Sequence, residues 1–384
     1  MRLSTAFNID DLAHLARKRL PAALYDFVDR GAEDEVTMRE NLSSLKKVFF
    51  RQRVGIDVSQ RDISTTLFGV RQSMPLGIAV TAMAGLIAYK GEECIARAAA
   101  ASGVPYMIGS ANLASCAELK PILGDLLWRQ IYVPKDRAIL DHYIAQTREA
   151  GINVLVVTLD SPVMGNREYM LRSKITNGVS MRSMAEMLRS PYWCVATLLR
   201  YAMAGGLPGI ADLPKVSQPA GTSGFFVGKY SAVPTADDFT WDDVRALRSR
   251  WDGVLVLKGL STAEDARIAA QCGADGVIVS NHGGRSLDGG VPSMDVLREV
   301  VDAVAPKVTV MIDGGFKRGS DALKAIAMGA SAVFVGRATL FGLAAGGEAG
   351  VSRALSLLHA EISRTLALVG CKSISELSRD HLQL

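Results

Sequence analysis

The sequence predicts an α/β chain closed into a TIM (β/α)8 barrel, with an N-terminal helical cap and a long insertion after the fourth strand. Two observations carry this. From Leu76 onward an apolar run, a polar tip and an amphipathic stretch alternate about every 25 to 30 residues, the rhythm of successive βα units. The rhythm yields eight strands, and eight parallel strands with eight crossovers close on themselves.

The elements follow in order. Leu12, Leu15 and Ala16 share one helical face and, after Pro21, Leu24, Phe27 and Val28 share another; Gly31 is expected to end the second helix. This segment precedes the first buried strand and so reads as a cap. The runs 57–59 and 63–67 are expected to form short strands that plug the barrel floor. Barrel strands are placed at residues 76–80, 106–108, 127–132, 154–159, 254–258, 277–280, 309–312 and 332–335. Helices are expected between them, for example at 91–102, 138–150, 262–271, 294–304 and 320–328, several closed by a glycine such as Gly151, Gly273 or Gly329.

The rhythm breaks once, between Asp160 and Val254. An insertion at 170–235 is expected there, of the kind that serves as a lid, a binding loop or a docking segment. Within it, residues 181–207 mix Met181, Met184, Met187, Leu188, Tyr192, Trp193, Leu198 and Leu199 with Arg182, Arg189 and Arg200. Such an aromatic and basic amphipathic stretch either lies in a membrane interface or packs on the barrel or a neighbouring subunit. The whole chain, 1–384, reads as one barrel domain with residues 1–70 as its cap.

Composition excludes several classes. The 49% hydrophobic fraction is ample for a large core, and 43 basic against 39 acidic residues give little reason to propose nucleic acid. Cys94, Cys116, Cys194, Cys272 and Cys371 are scattered and contain no C-x-x-C pair. That argues against a disulfide framework and a zinc site, and for a reducing, cytoplasmic interior. Residues 1–11 do not resemble a secretory signal, and Arg200 interrupts the best candidate for a membrane span.

Catalytic residues of a TIM barrel sit at the C-terminal ends of its strands, so the strand tips amount to a list of the site. Here they are Thr81, Ala82 and Met83; Gly109 and Ser110; Gln130 and Tyr132; Thr158 and Asp160; Lys258 and Gly259; Ser280, His282 and Arg285; Asp313, Gly314 and Gly315; and Gly336 with Arg337. Glycines, exposed amides and the cations Lys317, Arg318 and Arg337 after the last two strands match the place where such barrels hold a phosphate. Lys258 ends an apolar run, so its ammonium should point into the mouth, either as a Schiff-base lysine or as a cation beside a cofactor that becomes negative. His282 and Arg285 favour the second, since an imidazole can take a proton while a guanidinium grips a carboxylate. Asp160 could stabilise the resulting imidazolium, although a lone aspartate after a strand is more often a helix cap.

The run Ser280-Asn281-His282-Gly283-Gly284-Arg285, with Leu287-Asp288-Gly289, resembles the FMN-dependent 2-hydroxy acid oxidising family, which includes glycolate oxidase, lactate oxidase, the respiratory L-lactate dehydrogenases and mandelate dehydrogenase. The resemblance extends through Gly31-Ala32-Glu33-Asp34-Glu35, Gln130-Ile131-Tyr132-Val133, Lys258-Gly259, Ala263-Glu264-Asp265-Ala266, Asp313-Gly314-Gly315 and Gly336-Arg337, in family order and spacing. It implies FMN as cofactor, a small 2-hydroxy acid as substrate and a homotetramer. It also implies that His282 is the base, Asp160 its partner, Arg285 and Arg167 the carboxylate binders and Tyr132 a hydrogen-bond partner of the substrate. Lys258 would sit by the flavin N1 and O2 edge. Thr81, Ala82 and Ser110 would lie at the flavin, while Gln130, Thr158 and Ser280 would contact flavin or ribityl chain. Asp313, Gly314, Gly315, Lys317, Gly336 and Arg337 would handle ribityl and phosphate.

The chain also departs from the family. Phe27 stands where the family has a substrate-binding tyrosine, with Tyr25 facing elsewhere; Gly109 replaces a serine, Val80 a proline, Arg129 an aromatic and Lys317 an arginine. The insertion, with Ser190-Pro191-Tyr192-Trp193, resembles that of membrane-associated mandelate and lactate dehydrogenases. This implies a dehydrogenase that passes electrons to a quinone, peripheral on the inner face of the cytoplasmic membrane. The alternative is a soluble oxidase that reduces O2 to hydrogen peroxide. Two further alternatives are a Schiff-base aldolase built on Lys258 and a member that binds FMN without catalysis, suggested by Phe27 and Gly109.

Overall fold

The computed structural model describes residues 2–173, 187–206, 209–213 and 233–383. Eight parallel strands close into a barrel: β1 (Leu76–Ile78), β2 (Tyr106–Ile108), β3 (Leu127–Tyr132), β4 (Val154–Thr158), β5 (Val254–Leu260), β6 (Gly276–Val279), β7 (Thr309–Asp313) and β8 (Ala332–Val335). Each pairs with the next, and β8 returns to β1. All eight lie where the sequence places them, with differences only at the ends. β1 stops at Ile78, two residues short of Val80, its edge continued only by the Ala79 N–H that reaches Val335 O at 2.9 Å. β5 runs on because an irregularity after Lys258 lets Leu260 pair with Val279.

The strands are buried on both faces, which is why they read as continuous apolar runs. Alternation turns Ala79, Met107, Trp128, Val156, Val256, Ile278, Met311 and Phe334 inward as one apolar layer. It turns Leu155, Leu257, Val277 and Ile312 outward under the helices. The same alternation carries Gln130, Thr158, Lys258, Ser280 and Asp313 one rung higher. They form a polar layer at the mouth, none of them more than 6% exposed.

The floor is closed by a hairpin, Thr65–Leu67 with Val70–Gln72. Leu67 belongs to the inner apolar layer, and the Phe68 ring lies 5.6 Å from that of Trp128. The strand expected at 57–59 does not form. There the Asp57 carboxylate accepts from Ser59 N at 2.9 Å, a local turn bond that replaces a ladder.

The cap consists of α1 (Ile9–Arg19), α2 (Ala22–Asp29) and α3 (Val36–Lys47). α1 begins under a side-chain cap, Asn8 Oδ1 accepting from Asp11 N at 2.8 Å, and buries Leu12, Leu15 and Ala16 as expected. Gly31 does not end α2, which stops at Asp29 with Arg30 extended. Gly31 is required instead for close approach, because a Cβ there would lie 2.7 Å from Gly284 O. Gly151, Gly273 and Gly329 do close their helices, with φ of 65°, 81° and 117°.

In the insertion the described residues include helix Glu168–Ser173 and one helical rod built of Pro191–Trp193, a π-helical stretch Cys194–Leu199, and Arg200–Met203. One face of the rod packs on the barrel. Trp193 Nε1 donates to Leu86 O at 2.8 Å, and Lys90 N donates to Tyr201 Oη at 2.9 Å. The opposite face leaves Leu188, Tyr192, Val195, Leu199 and Met203 exposed, three or four residues apart. The two readings of this stretch are therefore compatible, one for each face. Met181, Arg182 and Met184 of the amphipathic stretch lie outside the described residues, as do 214–232 of the insertion. No helix among the described residues is long and apolar enough to cross a membrane.

Candidate active site

From β5 to β7 the polar layer is fully connected. Lys258 Nζ donates to Ser280 Oγ at 2.6 Å and pairs with Asp313 Oδ2 at 3.1 Å, while Ser280 Oγ donates to Asp313 Oδ1 at 2.6 Å. Burial alone would strip the proton from Lys258, but Asp313 and Asp160 outweigh it and hold the proton more tightly than an ordinary lysine does. A Schiff-base lysine must be a neutral nucleophile, so this environment speaks against the aldolase reading.

After β6 the chain turns tightly. His282, Gly283 and Gly284 all adopt left-handed backbone, with φ of 59°, 63° and 73°. That conformation is uncommon for histidine, and the cap holds it in place. Asn281 and Asn41 exchange amide hydrogen bonds at 2.8 and 2.9 Å, and a Cβ on Gly284 would lie 2.6 Å from Met38 N. Asp288 accepts from Val36 N and Thr37 N at 3.2 and 2.8 Å, capping the start of α3.

This turn directs the imidazole into the mouth. Nε2 lies 2.8 Å from Tyr132 Oη and Nδ1 3.2 Å from Asp160 Oδ1. Burial lowers the His282 proton affinity below the ordinary histidine value, against the pull of Asp160. For Asp160 burial acts upward, but His282 and Lys258 outweigh it, and the carboxyl is held below its usual range. The result is a neutral imidazole backed by an ionised carboxylate, the state a general base needs. Asp160 thus faces the histidine and is not a helix cap.

Arg285 and Arg167 line the same cleft. Arg285 Nη1 donates to Arg30 O at 2.7 Å, its guanidinium carbon lies 5.5 Å from the Phe27 ring centroid, and Arg167 Nε donates to Arg285 O at 3.0 Å. Burial and the nearby Arg167 lower the proton affinity of Arg285, yet a guanidinium stays charged at neutral pH. At the other end Arg337 Nη2 donates to Gly283 O at 2.8 Å. Among the described residues none of these three arginines has a carboxylate partner; all the ion pairs lie elsewhere. Arg337 also opens helix Arg337–Val369, whose free N-terminal amides favour an anion.

One cleft gathers most of the expected residues: Phe27, Thr81, Ala82, Ser110, Tyr132, Arg167, Lys258, His282, Arg285, Asp313, Gly314, Gly315, Lys317, Gly336 and Arg337. Gln130, Thr158 and Ser280 are buried beneath its wall. The cleft is open to solvent on one side. Lys317 lines the cleft but pairs with Asp10 at 3.1 Å. Tyr25 does face elsewhere, stacked on Phe341 with ring centroids 6.2 Å apart.

Sequence reasoning missed Met38 and Leu42 of α3, which also line the cleft. Their helical spacing is that of any core-facing residue. It also missed what Arg129 does: wholly buried on the outer face of β3, it pairs with Asp212 of the insertion at 2.9 Å and donates to Gly109 O at 3.0 Å.

A barrel mouth with a base at one end and a cationic anion pocket at the other defines a class: a TIM-barrel enzyme that sets proton chemistry beside a phosphate-bearing cofactor. The model of the FMN-dependent dehydrogenase family matches residues 16–384, and the chain belongs to that family. It is 40% identical over 379 residues to the (S)-mandelate dehydrogenase of Pseudomonas putida, covering 98% of this chain and 94% of that protein. It is 38% identical over 371 residues to the L-lactate dehydrogenase of Caulobacter vibrioides, covering 96% and 95%. The crystal structure of the monotopic membrane protein (S)-mandelate dehydrogenase superposes with a TM-score of 0.91 at 38% identity, over 99% of each chain. The protein is thus an FMN-dependent oxidoreductase acting on CH–OH donors.

The residues present fit that cofactor. Thr81 Oγ1, Gln130 Oε1 and Arg337 Nε are buried at or just beneath the cleft wall with no hydrogen-bond partner among the described residues. A polar ring carrying a phosphate would offer hydrogen-bonding groups to this wall.

Proposed function

We propose that the protein oxidises an L-2-hydroxy acid of the lactate or mandelate kind to the 2-oxo acid and delivers the electrons to a membrane quinone. One observation carries the reading: His282, backed by Asp160, shares a cleft with two guanidiniums that have no carboxylate partner among the described residues. Oxidising such an acid removes two protons and two electrons, so it needs a base, an anion clamp and an electron sink. FMN, when bound, supplies the sink.

The chain's residues supply the rest. Arg285 and Arg167 hold the carboxylate, and Phe27 forms an apolar wall against Arg285 where a phenol would add a hydrogen bond. Tyr132 orients the substrate, His282 takes a proton at Nε2, and Asp160 stabilises the imidazolium. Lys258, kept protonated by Asp313, offsets the negative charge the cofactor gains. Thr81, Ala82, Ser110, Gln130, Thr158 and Ser280 hold flavin and ribityl chain. Gly314, Gly315, Lys317, Gly336 and Arg337 hold the phosphate, with Asp313 between the two groups.

The exposed stripe of Leu188, Tyr192, Val195, Leu199 and Met203, flanked by the exposed Arg189 and Arg200, supports docking on the inner membrane face, where a lipid-soluble acceptor is within reach. The test is anaerobic mixing of the yellow protein with L-lactate, (S)-mandelate and longer 2-hydroxy acids. Bleaching by one of them is expected; a flavin that none reduces overturns the reading. Co-sedimentation with anionic vesicles tests docking separately, and rapid reoxidation by O2 with release of hydrogen peroxide would replace the quinone by the oxidase alternative.

A further inference from the structure

Three departures from the family turn out to touch one another. Gly109 stands at the tip of β2, Val80 just after β1, and Arg129 on the outer face of β3. The backbone of Gly109 is not left-handed, so no dihedral angle requires glycine there. Space does. A Cβ on residue 109 would lie 2.8 Å from Val80 Cγ2 and 3.1 Å from Gln130 Oε1. Retreat of the backbone from Val80 is opposed by Arg129, whose Nη1 donates to Gly109 O at 3.0 Å and pairs with Asp212 at 2.9 Å.

Beneath Gly109 lies Gln130, wholly buried. Its Nε2 donates to Thr158 Oγ1 at 2.7 Å, and its Oε1 has no partner. A serine at 109 would place a hydroxyl donor beside that oxygen. With glycine there, the oxygen stays unshared among the described residues, just behind the stretch of cleft wall that Val80 and Gly109 line.

We infer that Val80, Gly109 and Arg129 form one positioning set that keeps the Gln130 carbonyl oxygen free toward the flavin and thereby lowers the flavin's reduction potential. An unshared carbonyl oxygen presents its negative end to a cofactor that becomes negative on reduction, so it disfavours the reduced form. A hydroxyl donating to it would remove that penalty. The inference rests on FMN occupying the cleft and not on the substrate, so its test needs no hydroxy acid.

The test compares holoprotein, Gly109→Ser and Gly109→Ser/Val80→Ala, reading FMN dissociation by released fluorescence and midpoint potential by dye equilibration. Gly109→Ser is expected to weaken FMN binding about tenfold, the order of effect of overpacking a filled space. Adding Val80→Ala should return affinity to within about threefold of wild type, because the clash is gone. The double variant's potential should nevertheless stay above wild type, because the new hydroxyl still occupies Gln130. Unchanged FMN affinity in Gly109→Ser, or no recovery in the double variant, overturns the steric pairing. A double variant with wild-type potential overturns the role given to Gln130.

Discussion

The two halves of the barrel mouth are finished to different degrees. From β5 to β7 the chain largely satisfies itself: Lys258, Ser280 and Asp313 bond one another, and His282 spans Tyr132 and Asp160, whose Oδ2 is left without a partner among the described residues. From β8 through β1 to β3 it leaves Arg337 Nε, Thr81 Oγ1 and Gln130 Oε1 buried and unmet by any described residue. Each such atom costs about 1–3 kcal/mol, so this half is built to be completed by a ligand. On the proposed reading the proton chemistry is assembled mostly by the polypeptide, whereas the cofactor's wall is completed by the cofactor.

The largest expected break in that division is His282→Ala. It should leave FMN bound yet slow anaerobic flavin reduction by about 10²–10⁴-fold in stopped flow, the usual contribution of a general base. Near-normal reduction would take the imidazole out of the role. Next, Arg285→Lys loses the bidentate grip and should weaken a 2-oxo acid about 10- to 100-fold, read from the flavin absorbance perturbation, with FMN retention unchanged. Co-release of FMN would show that the two anion sites are not separate.

A pH profile sharpens the comparison further. His282 is held below its ordinary pKa of about 6.5, so the reduction rate should stay flat from pH 8 to that value and fall only at lower pH, as the imidazole gains a proton. An acid limb at or above 6.5 would exclude this imidazole as the titrating base. The smallest effect is expected on removing FMN. Hydrogen exchange should quicken at the tips of β8 and β1 to β3 by a few-fold and change little from β5 to β7. Uniform loosening would erase the distinction.

Much of this site was legible in the sequence. Strand alternation is readable, and it carries Lys258, Ser280 and Asp313 inward above a layer of apolar residues. What alternation does not encode is which tips meet. Nothing local to Arg129 announces Asp212, 83 residues away, and nothing in α3 marks Met38 and Leu42 as cleft residues. The rod in the insertion was ambiguous for another reason. Both of its faces carry large apolar side chains, with Trp193 and Tyr201 on one and Val195 and Leu199 on the other, so the apolar pattern did not tell inside from outside. The expected strand at 57–59 failed because a two-residue carboxylate turn beat a pairing that had no partner.

The amide exchange between Asn41 and Asn281 joins residues 240 positions apart and makes the first fifty residues a jig for the imidazole. Loss of either amide would leave the cylinder's own hydrogen bonds intact while the imidazole's aim drifts. Damage to this clasp would then register first as lost turnover and only later as lost structure.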